Sequence, residues 1–270
     1  MQINKLFFFS ALLGCYWVLL ACNRSDTTKI DIDLPKYPPN AGVGLIHFNT
    51  QHAIPLFKNP TEKDAYNSIQ FKVEEKGEDK GITHIYIPNQ KNLLQPYDLN
   101  VGDSEKEGKE NQQMGLFRFA PKLSFRVMEK LSDGVIVLLN EKTRETSFIK
   151  LDPKNDYRNG KEHPEFFDPN FVDTKISNWY YYESWEQALK RAYMVTVPSG
   201  TLIYDKPNGT GSHLSNIQNL YFKVTEVDGD WAQVSTRGNV LAGDKEVLGW
   251  VIWKANEEIK VNILLNGGYD

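Results

Sequence analysis

The sequence predicts a mainly β protein. Short apolar runs alternate with polar residues, and the runs end at glycine, proline, asparagine or aspartate, which is the pattern of strands joined by turns. Aromatic residues make up 12% of the chain, and large aromatic side chains are favoured in strands and small cores. Helical spacing of apolar residues stands out in one segment, residues 184–193. We therefore expect β units joined by a single helix.

The first 21 residues have the features of a secretory signal. Lys5 provides the positive charge, and an apolar run from Leu6 to Ala21 follows it. Polarity returns at Asn23, so the run is shorter than the ~18–20 residues that a membrane-spanning helix needs. A spanning helix is the alternative interpretation.

The tetrapeptide Leu19-Leu20-Ala21-Cys22 resembles the lipobox of bacterial lipoproteins. The resemblance implies cleavage before Cys22, whose sulfur already carries a thioether-linked diacylglycerol. Two or more acyl chains are enough for stable membrane attachment. The resemblance therefore implies a lipid-anchored protein of the cell envelope, in the outer membrane if the cell is Gram-negative.

Cysteine usage and charge exclude several classes of function. Cys15 lies in the predicted signal and Cys22 would carry the lipid, so no thiol remains for a disulfide, a zinc site or a nucleophile. The chain has 31 basic and 35 acidic residues, a net charge of −4, and no segment is strongly basic. This argues against nucleic acid as a partner.

Residues 22–44 are predicted to form a lipidated N-terminus and a tether. Pro35, Pro38 and Pro39 favour an extended backbone, and the stretch ends at Gly42 and Gly44. Such a tether would lift the folded part ~50–60 Å from the bilayer. The alternative is a strand docked on the first domain.

Residues 45–178 are predicted to form a β-rich domain. Residues 70–74 and 82–87 alternate in polarity around a charged, glycine-containing turn, which predicts a hairpin. Residues 103–113 are charged without apolar periodicity and are predicted to be a mobile loop. Further strands are predicted at 43–48, 54–57, 123–127, 135–139 and 147–151, and a polar loop at 152–170.

Residues 179–195 are predicted to contain the connecting helix. Ser184 followed by Gln187 has the spacing of a capping box. Trp185, Leu189 and Ala192 follow at helical spacing. We expect this helix to pack across the junction between two β units.

Residues 192–259 resemble a bacterial SH3-type domain. The resemblance is carried by Thr201–Pro207, Tyr221–Val227, Asp228–Val234 and the final Gly249-Trp250-Val251. It implies a small SH3-like barrel over residues 196–270 that binds a peptide or cell-wall ligand. Residues 202–207 replace the usual opening of the family, so ligand contacts of that opening are not carried over.

Three aromatic residues of this segment are candidates for ligand contact: Tyr204, Trp231 and Trp250. The alternative for each of them is packing in a core. We expect Trp231, which follows a turn, to be more exposed than Trp250. Gly249 permits close backbone approach beside Trp250.

A weaker internal repeat is visible upstream. Residues 55–60 parallel residues 202–207, and residues 125–129 parallel residues 222–226; each of the latter is followed by an Asp-Gly turn and another strand. The larger β domain is therefore a candidate for a degenerate SH3-like unit with some sixty residues inserted between its halves. Chance similarity of short β motifs is the alternative.

Sequence motifs of catalysis are not found. The chain has no Gly-x-Ser-x-Gly elbow, no His-Glu-x-x-His helix and no phosphate-binding glycine loop, and its five histidines are scattered. We predict no metal site and no cofactor. The leading hypothesis is a non-enzymatic envelope lipoprotein that binds a peptidoglycan peptide or an envelope protein. The alternatives are a structural or assembly component of an envelope complex and an envelope hydrolase.

Overall fold

The computed structural model describes residues 32–48, 52–116, 119–157, 180–209, 213–214, 221–236 and 246–265. Residues 33–270 form one compact unit. Its strands pair antiparallel, and the prediction of a mainly β protein is confirmed. The predicted signal, Cys22 and the first part of the predicted tether lie outside the described residues.

The first part of the compact unit contains all the strands predicted between residues 43 and 151, together with one helix. The strands are β1 (Gly44–Phe48), β2 (Ile54–Leu56), β3 (Asn67–Val73), β4 (Thr83–Tyr86), β5 (Asp98–Asn100), β6 (Lys122–Lys130), β7 (Gly134–Leu138), β8 (Thr146–Lys150) and β9 (Tyr180–Ser184). The helix is α1 (Glu105–Gln113), and a 3-10 turn covers Pro153–Asn155.

These strands form a large sheet, which we call the first sheet, and a smaller three-stranded sheet. The first sheet has the order β8-β7-β6-β1-β9, with β5 also paired to β6. Its β1 lies between β6 and β9 and is buried along its whole length, which explains the continuous apolar run in its sequence. The predicted hairpin is confirmed as β3 and β4, which belong to the smaller sheet β2-β3-β4.

The second part contains the connecting helix and the second sheet. The helix is α2 (Trp185–Arg191). The strands are β10 (Met194–Thr196), β11 (Ile203–Tyr204), β12 (His213–Leu214), β13 (Tyr221–Asp228), β14 (Trp231–Ser235), β15 (Val247–Ile252), β16 (Lys254–Ala255), β17 (Glu258–Ile259) and β18 (Asn262–Leu264).

The second sheet has the order β12-β11-β15-β14-β13-β10-β18, and β16 pairs with β17 separately. In the described residues the two end strands, β12 and β18, do not pair with each other, so the sheet does not close into the barrel that the SH3 resemblance implied. The segments that carry the resemblance coincide with β11, β13, β14 and β15.

The strand order repeats between the two halves. An antiparallel bridge between Phe57 and Phe148 places β2 beside β8, which extends the first sheet to β3-β2-β8-β7-β6-β1-β9. In chain order within its half, each strand of the first sheet takes the same place as the corresponding strand of the second sheet, β12-β11-β15-β14-β13-β10-β18. The insertion in the first half is also visible, because β4, α1 and β5 lie in the connection from β3 to β6, whereas β12 and β13 are close in sequence.

A β-bulge and an aromatic pair mark equivalent positions in the two halves. The pairing of β6 with β7 shifts between Val127 and Glu129, and the pairing of β13 with β14 shifts between Val224 and Glu226. Across the next strands, Phe57 opposes Phe148 and Tyr204 opposes Trp250. Both agreements follow the alignment that the sequence predicted, so the structure supports a repeated fold over chance similarity.

Helix α2 belongs to the core of the second sheet. The predicted capping box is present, since the Ser184 side chain accepts from the Gln187 amide and the Gln187 side chain accepts from the Ser184 amide. Trp185, Ala188 and Leu189 are buried in one cluster with apolar side chains of the second sheet and with Leu45 of β1. The helix therefore joins the two halves through a shared core.

The prediction of a mobile loop at residues 103–113 is wrong, because α1 occupies most of this segment. Ser104 caps the helix, and Glu107 completes a capping box by accepting from the Ser104 amide. The segment lacks an apolar stripe because only Gly108 of the helix is buried. Capping residues and polar helix formers therefore define it, and apolar periodicity gives no signal.

The prediction of a tether that stands free of the folded part is wrong for residues 33–44, which dock on the first half, as the alternative proposed. We call residues 33–43 the arm. Pro35 accepts hydrogen bonds from the amide and hydroxyl of Thr146, both at 2.9 Å. The Arg144 guanidinium donates to Pro38 O at 3.1 Å, and the Trp185 indole donates to Ala41 O at 2.9 Å. The arm therefore adds nothing to the predicted reach from the membrane.

Candidate functional site

The structure brings the three predicted aromatic residues to one face of the second sheet. Tyr204 opposes Trp250, and Trp250 also opposes Gln233. Trp231 lies two positions before Gln233 on the same strand, so it points to the same face. The opposite face carries Ala232, Val234 and Val251, which are buried in the core cluster. We call the side of Trp231 the outer face.

Tyr204 and Trp231 form a direct aromatic pair. Their ring centroids are 5.3 Å apart and the ring planes make an angle of 86°, an edge-to-face arrangement. Both side chains are half-buried. Gly209 lies against the six-membered ring of Trp231, where an added Cβ would come within 3.3 Å. The turn after β11 therefore forms one wall beside the indole.

Trp250 is much less accessible, with an exposed fraction of 7%. The expected order of exposure, Trp231 above Trp250, is confirmed. A Cβ on Gly249 would lie 2.4 Å from the carbonyl oxygen of Tyr204, so only glycine permits the observed approach of β15 to β11. Because so little of its ring is accessible, Trp250 is better placed to support the outer face than to contact a ligand.

A braced turn positions Trp231. Gly229 and Asp230 form a two-residue connection, with Gly229 at a φ of +55° and Asp230 outside the positive-φ region, the pattern of a type II′ hairpin turn. The Trp253 indole donates to Gly229 O at 2.9 Å, and the Trp253 amide donates to Asp230 O at 3.0 Å. The start of β14 is therefore fixed from behind.

Sequence analysis missed a second polar cluster, which joins three strands of the first sheet to α2. His47 lies on β1, Ser124 on β6, Glu183 on β9 and Arg191 on α2. The His47 Nε2 atom is 2.7 Å from a Glu183 oxygen, and Nδ1 is 2.7 Å from Ser124 Oγ. Arg191 donates two hydrogen bonds to Glu183, at 2.6 and 2.9 Å. We call these four residues the His47 network.

The His47 network holds a buried negative charge. Glu183 has no exposed surface. Burial opposes its charge, but the hydrogen bonds and charges of Arg191 and His47 outweigh burial and lower the pKa of Glu183 to about 2. Burial likewise disfavours the charge of Arg191, and Glu183 outweighs it, so the pKa of Arg191 is raised. The pair is ionised throughout the physiological range.

The order serine, histidine, carboxylate is the order of a nucleophile, a base and an orienting acid. A carboxylate only accepts, so His47 Nε2 carries a proton, and in the neutral ring Nδ1 accepts from Ser124. However, Ser124 is 3% exposed and His47 is 7% exposed. A substrate therefore cannot reach the hydroxyl in this arrangement, and the network is best explained as a structural clamp.

No local sequence signal predicts this network. His47 and Glu183 are separated by 136 residues, and they meet because β1 pairs with β9. The one available signal is the spacing of Glu183 and Arg191, which places an acid before the Ser184 cap and a base in the last turn of the helix.

The described residues contain neither a cluster of metal ligands nor a membrane-spanning helix. Within those ranges, no three His, Cys, Asp or Glu side chains converge in a way that could hold a metal ion. Neither α1 nor α2 has the length and apolar character that a membrane crossing requires. The candidate sites in the described part of the chain are therefore the outer face around Trp231 and the His47 network.

The chain matches no protein-family model, and comparisons with curated proteins and with solved structures give no match. The resemblances to bacterial lipoproteins and to SH3-type domains therefore stay predictions, which rest on the residues that carry them.

Proposed function

We propose that the chain is a non-enzymatic lipoprotein of the bacterial cell envelope, and that the outer face of its second sheet binds a peptide or cell-wall ligand. The lipid on Cys22 attaches the protein to the membrane, which is the outer membrane if the cell is Gram-negative. The support for the anchor is the tetrapeptide Leu19-Leu20-Ala21-Cys22, which resembles a lipobox.

The observation that carries the proposal is the position of Trp231. Gly134 directly precedes Val135, which pairs with Ile149, and Trp231 directly precedes Ala232, which pairs with Val251. Because these two pairs are equivalent in the two halves, Gly134 is the counterpart of Trp231 in the first sheet. The repeated fold therefore does not require a large side chain here. A half-buried tryptophan on the outer face, added where the other half has glycine, favours a binding role.

The other two aromatic residues have a counterpart with a packing role. Phe57 and Phe148 occupy the positions of Tyr204 and Trp250, and they are 7% and 1% exposed. Their ring centroids are 6.4 Å apart. An aromatic pair at this place is thus part of how each half folds, and Trp231 is the member that the fold leaves available for a ligand.

Sedimentation with isolated peptidoglycan sacculi tests the proposal. The chain from residue 22 with Cys22→Ser is compared with the same chain carrying Trp231→Ala, and we expect the added change to weaken binding by about ten-fold or more, the loss typical of a central aromatic contact. Tyr86→Ala is the matched control, because Tyr86 is an exposed aromatic residue on β4. Binding that is unchanged by Trp231→Ala would contradict the proposal.

The hydrolase alternative has one specific observation in its favour, the geometry of the His47 network. A fluorophosphonate probe, which labels activated serines, distinguishes the two functions. The proposed function predicts no labelling of Ser124 because its hydroxyl is buried. Labelling that Ser124→Ala and His47→Ala both abolish would establish the hydrolase and overturn the non-enzymatic proposal.

A further inference from the structure

Two carboxylates border Trp231 on the outer face. Asp228 of β13 directly opposes Trp231, and Glu226 directly opposes Gln233. Opposing residues of an antiparallel pair share a face, with their Cβ atoms ~4.5–5.5 Å apart. Both carboxylates are exposed. The indole is therefore flanked by acidic groups along one strand.

These two carboxylates have no partner among the described residues. Neither the Glu226 nor the Asp228 side chain makes a hydrogen bond or an ion pair with a described residue, whereas nearby Asp230 pairs with Lys254 at 3.2 Å. Within the same residues, no Lys or Arg side chain lies over the Trp231 ring, although Lys254 lies 5.7 Å from the centroid of Trp253. Among the described residues, the outer face therefore presents negative charge beside an aromatic ring over which no cation lies.

The first sheet shows what the equivalent carboxylate does. Glu129 and Glu226 both follow the β-bulge of their sheet, so they occupy the same position. Glu129 accepts a hydrogen bond from the Tyr37 hydroxyl at 3.0 Å. Tyr37 belongs to the arm, where the neighbouring Lys36 forms an antiparallel bridge with Glu145 and prolines lie on both sides. The first sheet thus uses this carboxylate to hold a side-chain donor of an extended peptide.

We infer that the second sheet binds an extended peptide segment in the same way, with a cationic side chain of that peptide against Trp231 and paired with Asp228 and Glu226. The inference rests on the proposed function and specifies its ligand. An ammonium or guanidinium group is attracted by the face of an indole, and two carboxylates without a partner among the described residues add charge complementarity.

Peptide titration of the chain from residue 22 with Cys22→Ser tests the inference. The probe is the capped peptide Pro-Lys-Tyr-Pro-Pro, which has the sequence of residues 35–39, and its lysine is replaced by arginine, Nε-acetyl-lysine or glutamate in the comparison peptides. Binding is followed by the NMR signal of the Trp231 indole N–H, assigned with Trp231→Phe. We expect the lysine and arginine peptides to bind about five-fold more tightly than the acetylated one.

Charge-neutralising variants supply the second arm of the test. Glu226→Gln and Asp228→Asn should each weaken binding of the lysine peptide by about two- to five-fold, with a smaller effect at high salt. Glu75→Gln is the matched control, because Glu75 is an exposed acid in the turn between β3 and β4. These variants change exposed residues, so folding is preserved.

Equal binding of the lysine and acetyl-lysine peptides, or variants that bind like the parent chain, would overturn the inference. The absence of any Trp231 signal change at millimolar peptide would also overturn it. Sacculus binding that still depends on Trp231 would then show that the proposed function holds and that only its cationic specificity is wrong. If the peptide does not bind at Trp231 and sacculus binding also does not depend on Trp231, the proposed function is contradicted as well.

Discussion

Glu183 is a charged residue with no exposed surface, and its environment explains how the chain tolerates it. Removing a carboxylate from water costs several kcal/mol, and the cost is offset only when strong partners are in place. Arg191 supplies two hydrogen bonds and His47 supplies a third. These partners come from α2 and β1, so the charge fixes the helix on the first sheet.

The first prediction concerns this charge. Glu183→Gln should lower the free energy of unfolding by about 3–5 kcal/mol, because it leaves the Arg191 guanidinium without its counter-ion in a largely buried place. Urea unfolding followed by tryptophan fluorescence measures the loss. Glu186→Gln is the control, since Glu186 is exposed and pairs with Lys190 of the same helix. A loss at Glu183 as small as that at Glu186 would contradict the clamp.

The second prediction concerns acid. The ordinary pKa of a glutamate is 4.5, and the folded value for Glu183 is about 2. The folded state therefore binds this proton less readily than the unfolded state, so the stabilisation is complete above about pH 4.5 and is lost as the pH falls through about 2. Its full size is roughly 3 kcal/mol.

Urea unfolding of the parent chain and of Glu183→Gln between pH 7 and pH 3 measures this dependence. The difference in unfolding free energy between the two should be constant down to about pH 4.5 and should narrow below it. A difference that begins to narrow at pH 6 would show that a different group controls the network.

Among the elements, α2 has the largest consequence for how the chain is divided. The SH3 resemblance implied a small barrel over residues 196–270, and such a barrel would be expected to fold from residue 192 onward without the helix. In the structure, Trp185 and Leu189 fill the core of the second sheet together with Leu45 of β1. The third prediction is therefore that a fragment of residues 192–270 lacks a cooperative thermal transition, and that a fragment of residues 180–270 regains one. Circular dichroism measures both.

A cooperative transition of the shorter fragment, with a midpoint equal to that of the longer one, would contradict the shared core. The core of the second sheet would then be stable without helix α2, and the predicted boundary between residues 195 and 196 would separate two units that pack independently.

The elements also show how far sequence reasoning extends. The strands were predictable where apolar alternation ended at glycine or proline, and the register of the repeat was predictable because Phe57 aligned with Tyr204. Helix α1 was missed because its signal is a capping box and its face is polar. The arm was missed because its partners, Arg144 and Trp185, are distant in sequence and supply donors to backbone carbonyls.

At the scale of the whole molecule, the chain contains one strand order twice, and the halves have diverged in different ways. The first half has an insertion and holds the arm at Glu129. The second half has Trp231 in place of a glycine and leaves Glu226 without a partner among the described residues. One half has become the attachment for the chain's own N-terminal segment, and the other is the half that we propose binds a ligand.

The fourth prediction concerns attachment to the membrane. Cys22→Ser should block lipidation and leave an uncleaved or wrongly cleaved precursor, because the cysteine sulfur is the atom that would carry the diacylglycerol. Detergent partitioning and intact mass of the protein expressed in bacteria measure the outcome. A mature, membrane-bound product with the Cys22→Ser change would contradict the lipoprotein interpretation.

The central claim, that the outer face of the second sheet is a binding surface at Trp231 and a packing surface at Trp250, is tested most directly by the unfolding free energy of two variants. Trp250→Ala should lose about 3–5 kcal/mol, the range for a buried tryptophan. Trp231→Ala should lose about 1 kcal/mol, because its ring is half-buried on the outer face. Equal and large losses at both positions would show that both rings are core, and would contradict the claim.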